Sequence, residues 1–297
     1  MAGAGETVPG GYTLVVAVSN PATVDQLMRT AVDLAADRDG GILAVSVVHK
    51  PPTSPFSLFS ETRIKAEYAD AQQAVLDAAV AAAADDPVPV RKRVLVGTDV
   101  AAAIRSAVRE ADADGLLLGW QEPPGAADVV LGTTVDPVLR RAPCDVFVER
   151  VGRTADGLEG ILLPTVGGPH VPPATDLAGA VARANDASVS VVSYVSPDAD
   201  DAERTEARGY VESAGSRLEG VTVDAEVREA VRVTKAIEET AAGHDLVVLG
   251  ATRERGFRRR VVGSVAAAIG ERVTPPVVIA KRGPERSVLR RALEFAR

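Results

Sequence analysis

The sequence predicts an α/β protein of two tandem domains, each a doubly wound, five-stranded parallel sheet of Rossmann-like type. Three observations carry that expectation. Short apolar runs alternate with helical periodicity along the chain, one such unit is written twice, and the hydrophobic residues (46% of the chain) are dominated by Ala and Val, with only 3% aromatics. Strand–helix alternation with short loops calls for parallel strands joined by helices on both faces of a sheet. Right-handed crossovers then make the sheet doubly wound. Strands buried on both faces read as continuous aliphatic runs. A length of 297 residues accommodates two domains with a core each.

The repeat is legible in three pairs of segments. TLVVAVSNP (Thr13 to Pro21) resembles GILLPTVGGP (Gly160 to Pro169), DGLLLGW (Asp114 to Trp120) resembles HDLVVLGA (His244 to Ala251), and VVLGTTVDPVLRRAPCDVFV (Val129 to Val148) resembles VVGSVAAAIGERVTPPVVIA (Val261 to Ala280). Gly119 with Gly250, and Gly132 with Gly263, share an offset of 131, whereas Ser19 with Val166 is offset by 147. The longer segment around PPTSPFSLFS (Pro51 to Ser60) absorbs most of the difference. This organisation predicts a first domain over 12–150, a second over 158–283 and a tail over 284–297, with a polar connection near 150–159.

In the first repeat, strands are expected at 13–18, 42–48, 90–96, 115–118 and 145–149, and helices at 22–37, 61–84, 99–111 and 130–141. Val24, Leu27, Met28, Ala31 and Leu34 share one helical face. Val100, Ala103, Ile104 and Ala107 do the same, after Thr98 and Asp99, either of which can cap that helix. In the second repeat, strands are expected at 160–165, 187–194, 221–227, 245–249 and 276–280, and helices at 172–185, 199–218, 232–242 and 262–272. The tail is basic, and Val288, Leu289, Ala292, Leu293 and Ala296 form one apolar stripe. It reads as a short helix docked on the body, with a partner-binding or membrane-surface helix as the alternative.

Charge and composition exclude several classes. The net charge of −8 argues against general nucleic-acid binding. No apolar run approaches the ~18 residues of a membrane helix, so no transmembrane segment is expected. The N-terminal MAGAGETVPGGY lacks the basic and apolar regions of a signal peptide. A single cysteine, Cys144, forbids an internal disulfide and fits a reducing, cytoplasmic setting. His49, His170 and His244 lie in no metal-ligand spacing, so no metal is expected. His170 reads as a helix-start surface histidine and Cys144 as a packed thiol. There is no Walker loop and no nucleophile elbow, hence no catalytic residue to assign.

Ligands of doubly wound sheets sit at the carboxyl ends of the strands, where strand order reverses. The informative segment there is GATRERGFRRRVVGSVAAAI (Gly250 to Ile269). Gly263, Ser264 and Val265 open a helix whose free N–H groups suit phosphate, and Arg253, Arg255, Arg258, Arg259 and Arg260 precede it. The plainer alternative is that the glycines shape a turn, Ser264 caps the helix and the arginines are solvated.

The spacing resembles the nucleotide-binding signature of the universal stress protein family: Gly, two residues, Gly, nine residues, then Gly followed by Ser or Thr. In the second repeat the positions hold Gly250, Arg253, Gly263 and Ser264, and in the first they hold Gly119, Glu122, Gly132 and Thr133. The endings RAPCDVFV (Arg141 to Val148) and VTPPVVIA (Val273 to Ala280), and the opening strand ILLPTVGGPH (Ile161 to His170), are similar to that family's. The resemblance covers 12–283 and implies tandem domains of this type forming a pseudo-dimer through their final strands. It also implies a non-enzymatic, stress-response regulator with adenine-nucleotide binding, ATP being the family's ligand.

The departures predict a weak site. ATP-binding members carry an Asp at the end of the first strand, where this chain has Ser19 after Val18, and Val166 after Thr165. The middle glycine is missing from both repeats. Glu122 and Asp128 disfavour phosphate in the first repeat, so Thr165, Val166, Gly167 and Gly168 with the 250–265 segment form the preferred site. Similar degenerate pairs resemble soluble domains attached to amino-acid permeases, so an interaction module regulating a membrane transporter is the first alternative. A cyclic-dinucleotide sensor is the second, and a nucleotide hydrolase, with no visible base or Walker-type metal ligands, is the enzyme-class rival and ranks last.

Overall fold

The computed structural model describes residues 11–50, 59–121, 132–154, 157–251, 269 and 272–284. The first repeat runs β1 (Thr13–Ala17), α1 (Pro21–Asp37), β2 (Gly41–His49), α2 (Glu61–Glu67), α3 (Asp70–Ala82), β3 (Val90–Gly97), α4 (Val100–Glu110), β4 (Gly115–Trp120), α5 (Gly132–Arg141) and β5 (Asp145–Arg150). The second runs β6 (Gly160–Pro164), α6 (Val171–Asn185), β7 (Ser188–Val195), α7 (Asp201–Gly215), β8 (Thr222–Glu229), α8 (Val233–Ala241), β9 (Leu246–Gly250) and β10 (Val277–Lys281).

The strands form one ten-stranded sheet in the order β3-β2-β1-β4-β5-β10-β9-β6-β7-β8. Each half is parallel throughout, and β5 meets β10 antiparallel. The pairing of final strands expected from the sequence is therefore present, and it fuses the two five-stranded sheets into one. β1 shows why the strands read as unbroken aliphatic runs. Leu14 and Val16 face the core beneath α1 and α3, while Val15 faces the core beneath α4 and α5, and all are fully buried. The helices α1, α3, α6 and α7 cover one face, and α4, α5 and α8 cover the other.

Local signals place the elements. Asn20 caps α1 by accepting from the Ala22 N–H, with Pro21 as the first helical residue. Of the two candidate caps for α4, it is Asp99 that accepts, from the Ala102 N–H at 2.9 Å. A capping box of Asp200 and Glu203 opens α7. Asp39 and Asp186 follow their helices in the left-handed conformation (φ 48° and 53°), 147 residues apart like the strands they precede. One expectation is corrected: the segment 61–84 is two helices, broken at Tyr68–Ala69. Lys65 sits in the last turn of α2 and Asp70 in the first turn of α3, so each charge favours a helix end at the break.

Side chains also stitch the halves together. Arg183 donates to Asp37 at 2.6 Å, and Arg38 reaches Asp176 at 2.9 Å. Arg150 is 2% exposed and donates to the carbonyls of Val273 and Pro275 at 2.6 and 2.7 Å, so its charge is held by backbone dipoles across the junction. Among the described residues, no helix is long and apolar enough to cross a membrane. No group of three or more His, Cys, Asp or Glu there could hold a metal ion.

Candidate functional site

The strand order reverses at β1 and again at β6, which puts a crevice at the carboxyl ends of β1/β4 and of β6/β9. Both pairs start alike. Asp114 accepts from the Thr13 N–H at 2.8 Å, and Asp245 accepts from the N–H groups of Glu159 and Gly160 at 2.8 and 3.0 Å. A carboxylate at the foot of β4 or β9 thus fixes the foot of β1 or β6, and the register set there carries to the crevice at the other end.

In the second crevice Thr165 is buried and extends the β6–β7 pairing by donating its N–H to the Val192 carbonyl at 2.8 Å. Its Oγ1 accepts from the Gly167 N–H at 3.3 Å. Val166 projects outward, 54% exposed. Gly167 and Gly168 have φ of +72° and +92°, a region that favours glycine. Gly167 has a second reason: a Cβ there would lie 2.4 Å from the ring of Tyr210 on α7. Tyr210 closes over the loop and donates its hydroxyl to Glu206, which raises its pKa. Gly250 ends β9 against the start of α6, where a Cβ would stand 3.2 Å from the His170 carbonyl oxygen.

His170 is not the surface residue expected from the sequence. It is 7% exposed, and its Nδ1 accepts from the Arg282 N–H at 3.2 Å. Its place beside the end of β9 makes it a packing element between the crevice and the chain leaving β10. Cys144 is buried, in line with a packed thiol.

The first crevice is built on the same plan and filled differently. Val18 is buried and donates its N–H to the Val45 carbonyl at 2.9 Å, while Ser19 is exposed. Gly119 is crowded by hydrocarbon: a Cβ would lie 3.0 Å from Val151 Cγ1 and 3.2 Å from Leu27 Cδ1. At the end of β4 stands Trp120, 3% exposed, where the second repeat has Ala251.

The structure therefore brings Thr165 to Gly168 together with Gly250, and Val18 and Ser19 together with Gly119. Gly132 and Thr133 begin α5. Glu122, Asp128, the arginines from Arg253 to Arg260, Gly263, Ser264, Val265 and the tail beyond 284 lie outside the described residues. Tyr210 was not anticipated, because nothing in the pattern of α7 distinguishes it from an ordinary half-exposed aromatic.

The profile of the universal stress protein family matches residues 12–150 and again 158–281. The chain belongs to the universal stress protein family. Among solved structures, a universal stress protein from Archaeoglobus fulgidus superposes with a TM-score of 0.64 at 14% identity, covering 91% of this chain and 98% of that one. The cytoplasmic domain of a prokaryotic cation chloride cotransporter superposes with a TM-score of 0.53 at 11% identity, covering 94% and 98%. At these identities the likeness is one of fold. In sequence, the chain is 26% identical over 268 residues to the Na(+)/H(+) antiporter NhaS5 of Synechocystis, matching 86% of this chain but 35% of the antiporter.

An adenine nucleotide, the ligand that this family implies, meets a mixed reception from the described residues. The Gly167–Gly168 turn offers close backbone approach, but neither Ser19 nor Val166 supplies a carboxylate for the base.

Proposed function

We propose that this universal stress protein is a non-enzymatic regulator that binds ATP or another adenine nucleotide weakly, in the second-half crevice. The observation that carries the reading is Val166, 54% exposed at the strand end where ATP-binding members have Asp. An aliphatic side chain there accepts no hydrogen bond from an adenine amino group. The second half is favoured on two grounds. The Gly167–Gly168 turn offers close backbone approach there, and the arginine-rich segment 253–260 follows β9. Native mass spectrometry of the purified chain, followed by calorimetric titration with ATP, tests the reading. Dissociation constants of tens of micromolar or weaker are expected, and sub-micromolar binding overturns it.

A second reading is supported by the match to NhaS5, which spans 86% of this chain. On it, the chain is an interaction module that regulates a membrane transporter. Crosslinking in intact cells tests this by identifying the captured membrane proteins. A cation transporter is expected, and capture of none across replicate experiments overturns it.

A further inference from the structure

Away from both crevices, beneath the β5–β10 junction, a cavity of about 200 Å³ lies between α1, α6 and the segment after β5. Its lining includes Gln26, Arg29, Asp33, Glu149 and Asn185. A second cavity, of about 600 Å³, lies between α1 and α3, lined by Asp25, Asp86 and Ala82 among others. Arg29 and Asp33 line both, so the two adjoin along α1.

The inner end of this groove holds an unfinished hydrogen-bond arrangement. Glu149 is 3% exposed. Its Oε1 accepts from Gln26 Nε2 at 2.7 Å, while its Oε2 is buried without a hydrogen-bond partner. A buried acceptor without a donor is costly, and most buried polar atoms have partners. When Glu149 is ionised, with Thr30 nearby on α1, the group that completes this site is a donor, and a cation serves best. Further out, Asp33 accepts from Asn185 Nδ2 at 3.1 Å, and Asp25 and Asp86 follow. Between the carboxylates the walls are aliphatic: Leu158 and Val181 inside, Ala78 and Ala82 outside. Carboxylates separated by hydrocarbon match a ligand whose cations are separated by methylenes. The metal alternative is poorly served, because no trio of acidic or imidazole ligands is present among the described residues.

We propose that the two cavities form one site for a linear aliphatic di- or polyamine, its inner ammonium on Glu149 and its outer ammonium on Asp33 and Asp86. Arg29, exposed between the cavities, attracts Asp33 and Glu149 from a distance, and the ligand's ammonium groups take over that role. The electrostatics run the same way. Burial pushes the Glu149 carboxyl up to about 7, against the pull of Gln26, Thr30 and Arg29, and Asp33 repels it further. Burial and Asp86 push Asp33 up to about 6, against Asn185 and Arg29. The groups facing Glu149 are Gln26, Arg29, Thr30 and Asp33 from α1, Arg153 and Thr154 after β5, and Asn185 from α6. Polyamine binding must draw the proton off Glu149, so affinity rises with pH through neutrality.

The test is calorimetric titration of the full chain with spermidine at fixed physiological ionic strength, at about pH 8 and about pH 5.5. One-to-one binding is expected at the higher pH, weaker by roughly tenfold or more at the lower pH and in Glu149→Gln. Where Glu149→Gln fails to fold, Asp33→Asn is read instead, with a loss in the same direction. Three results overturn the proposal: no spermidine binding to the wild type, undiminished binding in the folded variant, or displacement of spermidine by an equal concentration of magnesium chloride. The last outcome would mark a diffuse counterion effect.

Discussion

Val148 on β5 lies directly opposite Ile279 on β10, and the two are equivalent positions of the repeat, offset by 131 like Gly119 and Gly250. When equivalent residues face each other in an antiparallel pair, a local two-fold axis passes between them. The junction is thus an isologous contact made within one chain. Both residues are buried, at 0% and 1% exposure, so either strand left alone would expose an apolar edge.

That geometry predicts the behaviour of the first half by itself. A chain ended at Arg153 presents β5 with no β10, and a second copy can supply the same strand with Val148 opposite Val148. Light scattering should find a dimer or larger species. A stable monomer would show that the junction does not govern association.

The nucleotide reading predicts a gain of binding. Val166→Asp restores a charged acceptor at an exposed position, at little cost to the core. A hydrogen bond to a charged group contributes about 1.5–3 kcal/mol, or roughly ten- to a hundredfold in affinity. Calorimetry should show ATP binding tightened by about that factor. No change would mean that this strand end does not meet the base.

Glu149 makes stability depend on pH. Its carboxyl is raised from 4.5 to about 7 in the fold, so between those values the native state holds a proton that the unfolded chain has released. Stability from this group is complete below about pH 4.5 and is lost as pH rises through about 7. Asp33, raised to about 6, adds a smaller loss of the same sign. Glu149→Gln keeps the shape, accepts from Gln26 and does not titrate. Its stability relative to wild type should climb between about pH 5 and pH 8, by roughly 3 kcal/mol at most. Denaturant melts across that range check the slope, and a flat difference would mean that Glu149 ionises freely in the fold.

What the sequence made legible was local or repeated. Strand–helix alternation and a cap at Thr98 or Asp99 came from short-range patterns, the second unit from matching segments 131 or 147 residues apart, and the paired final strands from the family resemblance. What it hid arises between distant segments. Glu149 and Arg150 look like the polar end of a strand, yet the second half buries both. His170 looks like a surface residue until the chain after β10 closes on it. Tyr210 becomes part of the crevice only because α7 places it over Gly167. The break between α2 and α3 left only a pair of helix-end charges as a clue, and those are common in continuous helices as well.

The last prediction assigns the ligand to one half. The two halves repeat one strand plan, and their side chains decide between them. After β9 come Arg253, Arg255, Arg258, Arg259 and Arg260, then Gly263 and Ser264, whereas after β4 come Glu122 and Asp128, then Gly132 and Thr133. Arginine–phosphate pairs are stronger than neutral hydrogen bonds, and a nearby carboxylate subtracts from the site. ATP should therefore bind one to one. Gly263→Asp combined with Ser264→Ala adds a negative charge beside the arginine-rich segment and removes a hydroxyl donor, and should abolish binding. Gly132→Asp should leave the affinity within about twofold, well under the roughly 1.4 kcal/mol that a tenfold change represents. Loss of binding in the Gly132 variant, with binding kept in the double variant, would assign the ligand to the first half instead.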